Sequence, residues 1–165
     1  MEKLWAPWRI EYIRNLGSGC FLCSALKNKD KEEVLIIERN TRAFTIMNRY
    51  PYNNGHLLVA PIRHTGLIEE LNDDEIIDIN RLLVRAIKAI KVSLKPDGFN
   101  IGINQGKIAG AGLVDHIHIH LVPRWSGDTN FMPIIGETKV ISEGLKETYK
   151  KIKKGIEQIE SLQEH

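Results

Sequence analysis

The amino-acid sequence predicts an α+β fold, a mostly antiparallel sheet of about five strands with two main helices covering it. Two observations carry this. Short runs rich in β-branched and aromatic residues recur between turn signals. Two longer segments instead repeat apolar residues every three or four positions. At 165 residues, 42% hydrophobic and 27% charged, the chain is long enough to bury a core without disulfide staples.

The elements follow in order. Residues 1–18 are aromatic, basic and broken by Pro7, which predicts an ordered arm ahead of one domain spanning residues 19–165, the C-terminal helix included. Trp5, Trp8 and Tyr12 suit docking on the body or on a second subunit, or plain covering of the core. Gly19–Cys23 reads as a tight knuckle. Glu33–Glu38 and Ala43–Met47 read as strands around a turn at Arg39–Arg42. Asn48–Gly55 is a loop, because Pro51 and the Asn-Asn-Gly run break regular structure, and His56–Pro61 is the third strand. Asn72 and Glu75 have the spacing of a capping box. Ile76, Ile79, Leu83, Ile87, Ile90 and Leu94 continue as a helical stripe until Pro96 and Gly98 stop it. Phe99–Asn104 is a fourth strand, Gln105–Gly112 a glycine-rich loop, and the histidine segment a fifth strand. Ile141, Leu145, Tyr149, Ile152, Ile156, Ile159 and Leu162 line a last helix. Its polar face mixes both charges, which favours helix packing over a membrane surface.

A net charge of +2 argues against a general electrostatic grip on long nucleic acid, and leaves room for a local anion pocket. No apolar run approaches membrane-spanning length, and the first residues lack the apolar core of a signal peptide. The expected location is the cytoplasm, with no membrane partner. Cys20 and Cys23 lie too close together for a structural disulfide framework.

Half of the six histidines sit in Val114–Trp125, "VDHIHIHLVPRW". In extended backbone His116, His118 and His120 share one face, with neighbours about 7 Å apart, and Ile117, Ile119 and Leu121 share the other. The apolar row belongs in the core and the imidazole row lines a cleft. Three readings compete: a polar face without special chemistry, a metal site with a fourth position open to water, and nucleophilic catalysis with neighbouring rings steering protons. Asp115 points to the opposite face, so it is poorly placed to support a metal-bound imidazole. The surroundings favour the nucleophile. "NQGKIAGAG" just upstream lets backbone N–H groups approach an anion, and His56 and His64 lie further upstream in "GHLLVAPIRH". Together they suit phosphoryl or nucleotidyl transfer without magnesium. Cys20-Phe21-Leu22-Cys23 has zinc-knuckle spacing, with a redox pair or two buried thiols as alternatives; a half site would need two more ligands.

These residues resemble a known family. "HIHIHLV" is similar to the signature of the histidine-triad (HIT) proteins, "NRYPYNNGHLLVAPIRH" to their upstream strand–loop–strand, and "NQGKIAGAGLVDHIHIHLVPRW" to their active-site half. "LWAPWRIEYI" and "PRWSGDTNFMP" resemble the branch of dinucleoside polyphosphate phosphorylases. The resemblance implies nucleotidyl transfer on nucleotide phosphoanhydrides, with diadenosine tetraphosphate cleaved by phosphate or water through a covalent nucleotidyl-His118 state. It implies that His120 and His56 flank the phosphate and manage the leaving group. Gln105 would contact phosphate or the leaving oxygen, and Asn48 would hold the ribose. Gly110, Ala111 and Gly112 would offer backbone donors to the α-phosphate. Leu113 departs from relatives that carry Ser or Thr there. Some relatives, galactose-1-phosphate uridylyltransferases among them, complete a cysteine pair with two histidines. The matching set here is Cys20, Cys23, His64 and His116, which implies a closed structural zinc site. A homodimer or higher homo-oligomer, formed through an extended sheet, is also implied. A purine nucleoside phosphoramidase, a non-catalytic nucleotide-binding regulator and a zinc hydrolase using the triad as ligands are the alternatives.

Overall fold

The computed structural model describes residues 19–128 and 143–162. The arm expected at residues 1–18, and Ile141 of the last stripe, lie outside the described residues. The strands are β1 (Ile36–Arg39), β2 (Ala43–Met47), β3 (Leu57–Pro61), β4 (Gly98–Ile103) and β5 (Ile119–Arg124). They form one sheet in the order β1-β2-β3-β5-β4, antiparallel at every pairing. The helices are α1 (Phe21–Lys27), α2 (Asp73–Leu94) and α3 (Leu145–Ser161), with a 3₁₀ turn at Ile68–Glu70. The α+β class and the five strands expected from the sequence are present.

Three elements differ from expectation by more than one residue. The first strand starts at Ile36 rather than Glu33. Asp30 Oδ1 accepts from the Glu32 and Glu33 N–H groups, and Leu35 turns the chain at φ 63°. A side chain that captures backbone donors holds the segment in turns and withholds it from the sheet. The cysteine knuckle runs on into α1, with Cys20 as N-cap. The fifth strand begins at Ile119, so only His120 of the three histidines lies in regular pairing. Ahead of it, the Ile117 N–H donates to the Thr65 carbonyl (2.7 Å).

Strand alternation separates two packed faces. Met47, Leu57 and Leu121 pack with Ala86, Ala89 and Ile90 of α2 and Ile152 and Ile156 of α3. Ile46, Phe44, Leu58 and Ala60 face the other way and pack with Leu22 and Ala25 of α1. His120 pairs with Leu58, so its ring lies on the α1 side while Ile119 and Leu121 serve the helical side. The predicted split between imidazoles and core therefore holds along β5.

The capping box forms: the Glu75 N–H donates to Asn72 Oδ1 (2.9 Å) and the Asn72 N–H to Glu75 Oε2 (3.0 Å). The buried line of α2 is Ile79, Leu82, Ala86, Ala89 and Ile90, whereas Ile76 is exposed. A stripe drawn through large residues misses the two alanines. Ala89 is where α3 crosses: a Cβ on Gly155 would come within 2.5 Å of the Ala89 carbonyl oxygen. Leu162, placed in the stripe of α3, is exposed at its end. One more close approach positions the site. A Cβ on Gly66 would sit 2.5 Å from the Val114 carbonyl oxygen. That glycine lets the chain leaving β3 lie against the backbone entering the histidine segment. Among the described residues, no helix is long and apolar enough to cross a membrane.

Candidate active site and metal centre

The histidine segment serves two neighbouring clusters. In the first, His116 is fully buried and its Nε2–H donates to the Pro61 carbonyl (2.8 Å). That fixes Nδ1 as the nitrogen with a free lone pair. Around Nδ1 stand Cys20 Sγ at 3.2 Å, Cys23 Sγ at 3.5 Å and His64 Nδ1 at 3.3 Å. Cys23 Sγ lies 3.4 Å from His64 Nδ1, and all four donor atoms fall within 4.8 Å of one another. A tetrahedral zinc with bonds of about 2.0–2.3 Å separates its ligand atoms by roughly 3.3–3.8 Å. Two thiols and two imidazole nitrogens at these spacings fit that ion. Burial first, and then the bond to Cys20, pushes the Cys23 thiol up from its ordinary range in the metal-free chain. A bound cation reverses that balance by favouring thiolates. The Cys23 N–H points at Cys20 Sγ (3.5 Å) and steadies the knuckle.

In the second cluster, His118 Nδ1–H donates to the carbonyl of His116 (2.8 Å), which leaves Nε2 with the lone pair. Burial lowers the His118 pKa, and the bond to the His116 carbonyl opposes that shift. Burial, with His118 nearby, takes His120 down to about 4. Both rings are therefore neutral at pH 7, the state that a nucleophilic imidazole needs. The ring centroids of His118 and His120 are 4.9 Å apart. His120 Nδ1 lies 3.0 Å from Nε2 of the buried His56. His56 Nδ1 accepts from the Tyr52 N–H (3.0 Å), so His56 carries its proton on Nε2 and gives it to His120 Nδ1. His120 then carries its own proton on Nε2.

The other expected site residues are placed unevenly. Asn48 is beside the pair: its Nδ2 is 3.3 Å from His56 Nδ1, and its Oδ1 accepts from the Tyr50 N–H (2.9 Å). Gln105 is tied to the 3₁₀ turn instead of to the rings. Its Oε1 accepts from the Ile68 N–H (2.8 Å) and its Nε2 donates to Glu69 (3.0 Å). The Gly110 N–H bonds the Lys107 carbonyl and the Ala111 N–H bonds the Gly106 carbonyl, so two of the three expected anion donors close their own loop. Gly112 is exposed and makes no backbone bond among the described residues. Leu113 packs against the apolar cluster beneath the cysteines. Sequence reasoning missed Tyr52, whose ring lies on both His56 and His120. Its one signal was its place after Pro51 in a pinned loop.

A family model described as the HIT domain matches residues 28–127, which include every ring of the second cluster. The chain belongs to the HIT family. A HIT-family relative from Mycobacterium tuberculosis, named AP-4-A phosphorylase, is 37% identical over 157 residues, covering 90% of this chain and 80% of its own length. An adenosine 5'-monophosphoramidase from Saccharomyces cerevisiae is 31% identical over 109 residues, covering 66% of this chain and 65% of its own length. Among solved structures, a Zn-bound histidine triad family protein from Mycobacterium smegmatis superposes with a TM-score of 0.66 at 28% identity. It covers 78% of this chain and 88% of its own. The relatives of this HIT protein thus include enzymes named for nucleotide substrates, and one neighbour that holds zinc.

Proposed function

We propose that this HIT protein is a nucleotidyl-transfer enzyme acting on dinucleoside polyphosphates, with diadenosine tetraphosphate as the substrate that suits it best. The observation that carries the reading is the His118 ring, held by its Nδ1–H on the His116 carbonyl with Nε2 unprotonated. His118 Nε2 attacks the α-phosphorus. A P–N bond forms as the P–O bond to the leaving ATP breaks. His120 donates a hydrogen bond from Nε2 to the departing oxygen as charge builds on it. The positive charge on the adenylylated ring rests against the His116 carbonyl. Inorganic phosphate then attacks the same phosphorus, the P–N bond breaks, and ADP leaves; water in that role gives AMP. The AP-4-A phosphorylase relative, at 37% identity over most of both chains, favours phosphate as acceptor.

In this reading Asn48, beside His56, takes a ribose hydroxyl, and the Gly112 N–H meets an α-phosphate oxygen. Gln105 reaches phosphate only by leaving the 3₁₀ turn. Cys20, Cys23, His64 and His116 would hold zinc, which supplies a structural crosslink with no position left for water. A zinc hydrolase needs an open position, so the closed set of four protein ligands speaks against that alternative. The cytoplasm is the compartment that suits two reduced cysteines in such a set. A homodimer through the β4 edge accounts for Ile101 and Ile103, which lie exposed on an edge strand.

The phosphoramidase relative favours a second reading, in which the same residues split a P–N bond. One experiment separates these. The chain is incubated with diadenosine tetraphosphate, with and without inorganic phosphate, beside a His118→Ala control. ADP and ATP with phosphate present, and acid-labile adenylyl label on His118, are the expected results. Binding without product or label identifies a nucleotide-binding regulator instead. Turnover confined to adenosine phosphoramidates identifies the second reading.

A further inference from the structure

We propose that Tyr52 is a positioning residue that locks the His56–His120 pair into one tautomer and one orientation, so that His120 presents an N–H to the leaving group. The inference rests on the nucleotidyl-transfer reading above. Two different parts of Tyr52 act. Its backbone N–H donates to the His56 Nδ1 lone pair (3.0 Å), with the Asn48 Nδ2 donor beside it at 3.3 Å. That forces the His56 proton onto Nε2, where it meets His120 Nδ1 at 3.0 Å. Its ring lies nearly parallel to His120, with planes 20° apart and centroids at 5.6 Å, and leans on His56 at 4.7 Å. A side chain that contacts both members of a hydrogen-bonded pair limits rotation of each about its Cβ–Cγ bond.

Core packing does not account for this placement, because Tyr52 is 52% exposed. The loop itself is pinned on both sides of Tyr52. Asn48 accepts from the Tyr50 N–H ahead of it. Asn53 behind it donates to the Pro123 carbonyl and to Asp128, and accepts from the His56 N–H through its own carbonyl. Pro51 between these anchors is buried. The loop thus delivers one amide and one ring to two histidines from a fixed frame. A ring merely filling space would not need its own amide bonded to the histidine that it covers.

The test uses the 165-residue chain with three readouts. In ¹⁵N spectra of the imidazoles, the wild type should show a non-protonated Nδ1 and protonated Nε2 on both His56 and His120. Tyr52→Ala keeps the amide and removes the ring, so it should leave the tautomers in place and broaden the His120 resonances as the freed ring turns. In kinetics, Tyr52→Ala should lower kcat on diadenosine tetraphosphate by about tenfold or more, in the range that misplacing a catalytic group costs. KM should change little. The loss should be much smaller on adenosine 5'-(p-nitrophenyl phosphate), whose leaving group needs little help. Tyr52→Phe, which keeps the ring, should recover most of the loss. An Nδ1-protonated His56 in the wild type, His120 resonances in Tyr52→Ala as sharp as in the wild type, equal losses on both substrates, or an effect on KM alone would each overturn the proposal. Should the wild-type chain form no adenylyl-His118, the functional reading fails by itself, and the imidazole spectra still decide the role of Tyr52.

Discussion

His116 and His118 are two residues apart and are held by the same device, a backbone carbonyl accepting from one ring nitrogen at 2.8 Å. They differ in which nitrogen is held. On His116 it is Nε2, and Nδ1 turns to two thiols and a second imidazole. On His118 it is Nδ1, and Nε2 is left with its lone pair. The bonded nitrogen decides which nitrogen each ring leaves open. Under the proposed function, a row of identical side chains is divided between structure and chemistry without any change of residue type. The carbonyls decide, and one of them belongs to the metal-side histidine itself.

The sharpest way to break this division is His118→Ala. Turnover should fall by roughly a thousandfold or more, as for other covalent nucleophiles. Adenylyl label should vanish, while bound zinc, measured by elemental analysis, stays at the wild-type level. Zinc lost together with activity would mean that the two rings do not have separate jobs. The mirror experiment is Cys23→Ser. Zinc should leave, and stability in urea should fall by more than about 3 kcal/mol, since binding energy at a structural metal is folding energy. A variant that unfolds like the wild type would show that the cluster is dispensable.

A smaller effect concerns pH. Burial depresses both His118 and His120, the latter to about 4. In the unfolded chain each imidazole protonates near its ordinary value of about 6.5. The unfolded state therefore binds more protons than the native state between those values, and stability rises with pH across that window. Stability measured by urea midpoint should be full above about pH 6.5 and decline as the pH falls toward 4. Replacing His120 by Gln should flatten the decline. The smallest effect lies outside both clusters. Asn72→Ala removes the cap of α2 and should cost about 1 kcal/mol with kcat unchanged. A change in kcat would show that the helix end bears on the rings.

The fold was legible where periodicity is strong. Ala43–Met47 was read to the residue, and α2 was bounded correctly by Asn72 and Leu94. Burial along α2 was read less well, because Ala86 and Ala89 carry no weight in a stripe of large residues. The start of β1 is not legible from alternation, because Asp30 captures the N–H groups two and three residues on and holds them in a turn. For the site, the four donors that converge near His116 were identified through family likeness, since nothing in spacing alone brings His64 to Cys23. Alternation alone extends the strand through the whole histidine row, but regular pairing starts only at Ile119. The docking of Gln105 on Ile68 and Glu69 had no sequence signal, because it joins a glycine-rich loop to a 3₁₀ turn that was not foreseen.

Gly66 bears on how damage to this protein would be diagnosed. It belongs to neither histidine cluster, yet an added methyl group there would collide with the Val114 carbonyl just ahead of His116. Relief of that collision would displace the backbone on which both rings depend. In a systematic mutational scan, this unreactive position should therefore score with the histidines, and a reader of such a map would do well to look for crowding before chemistry.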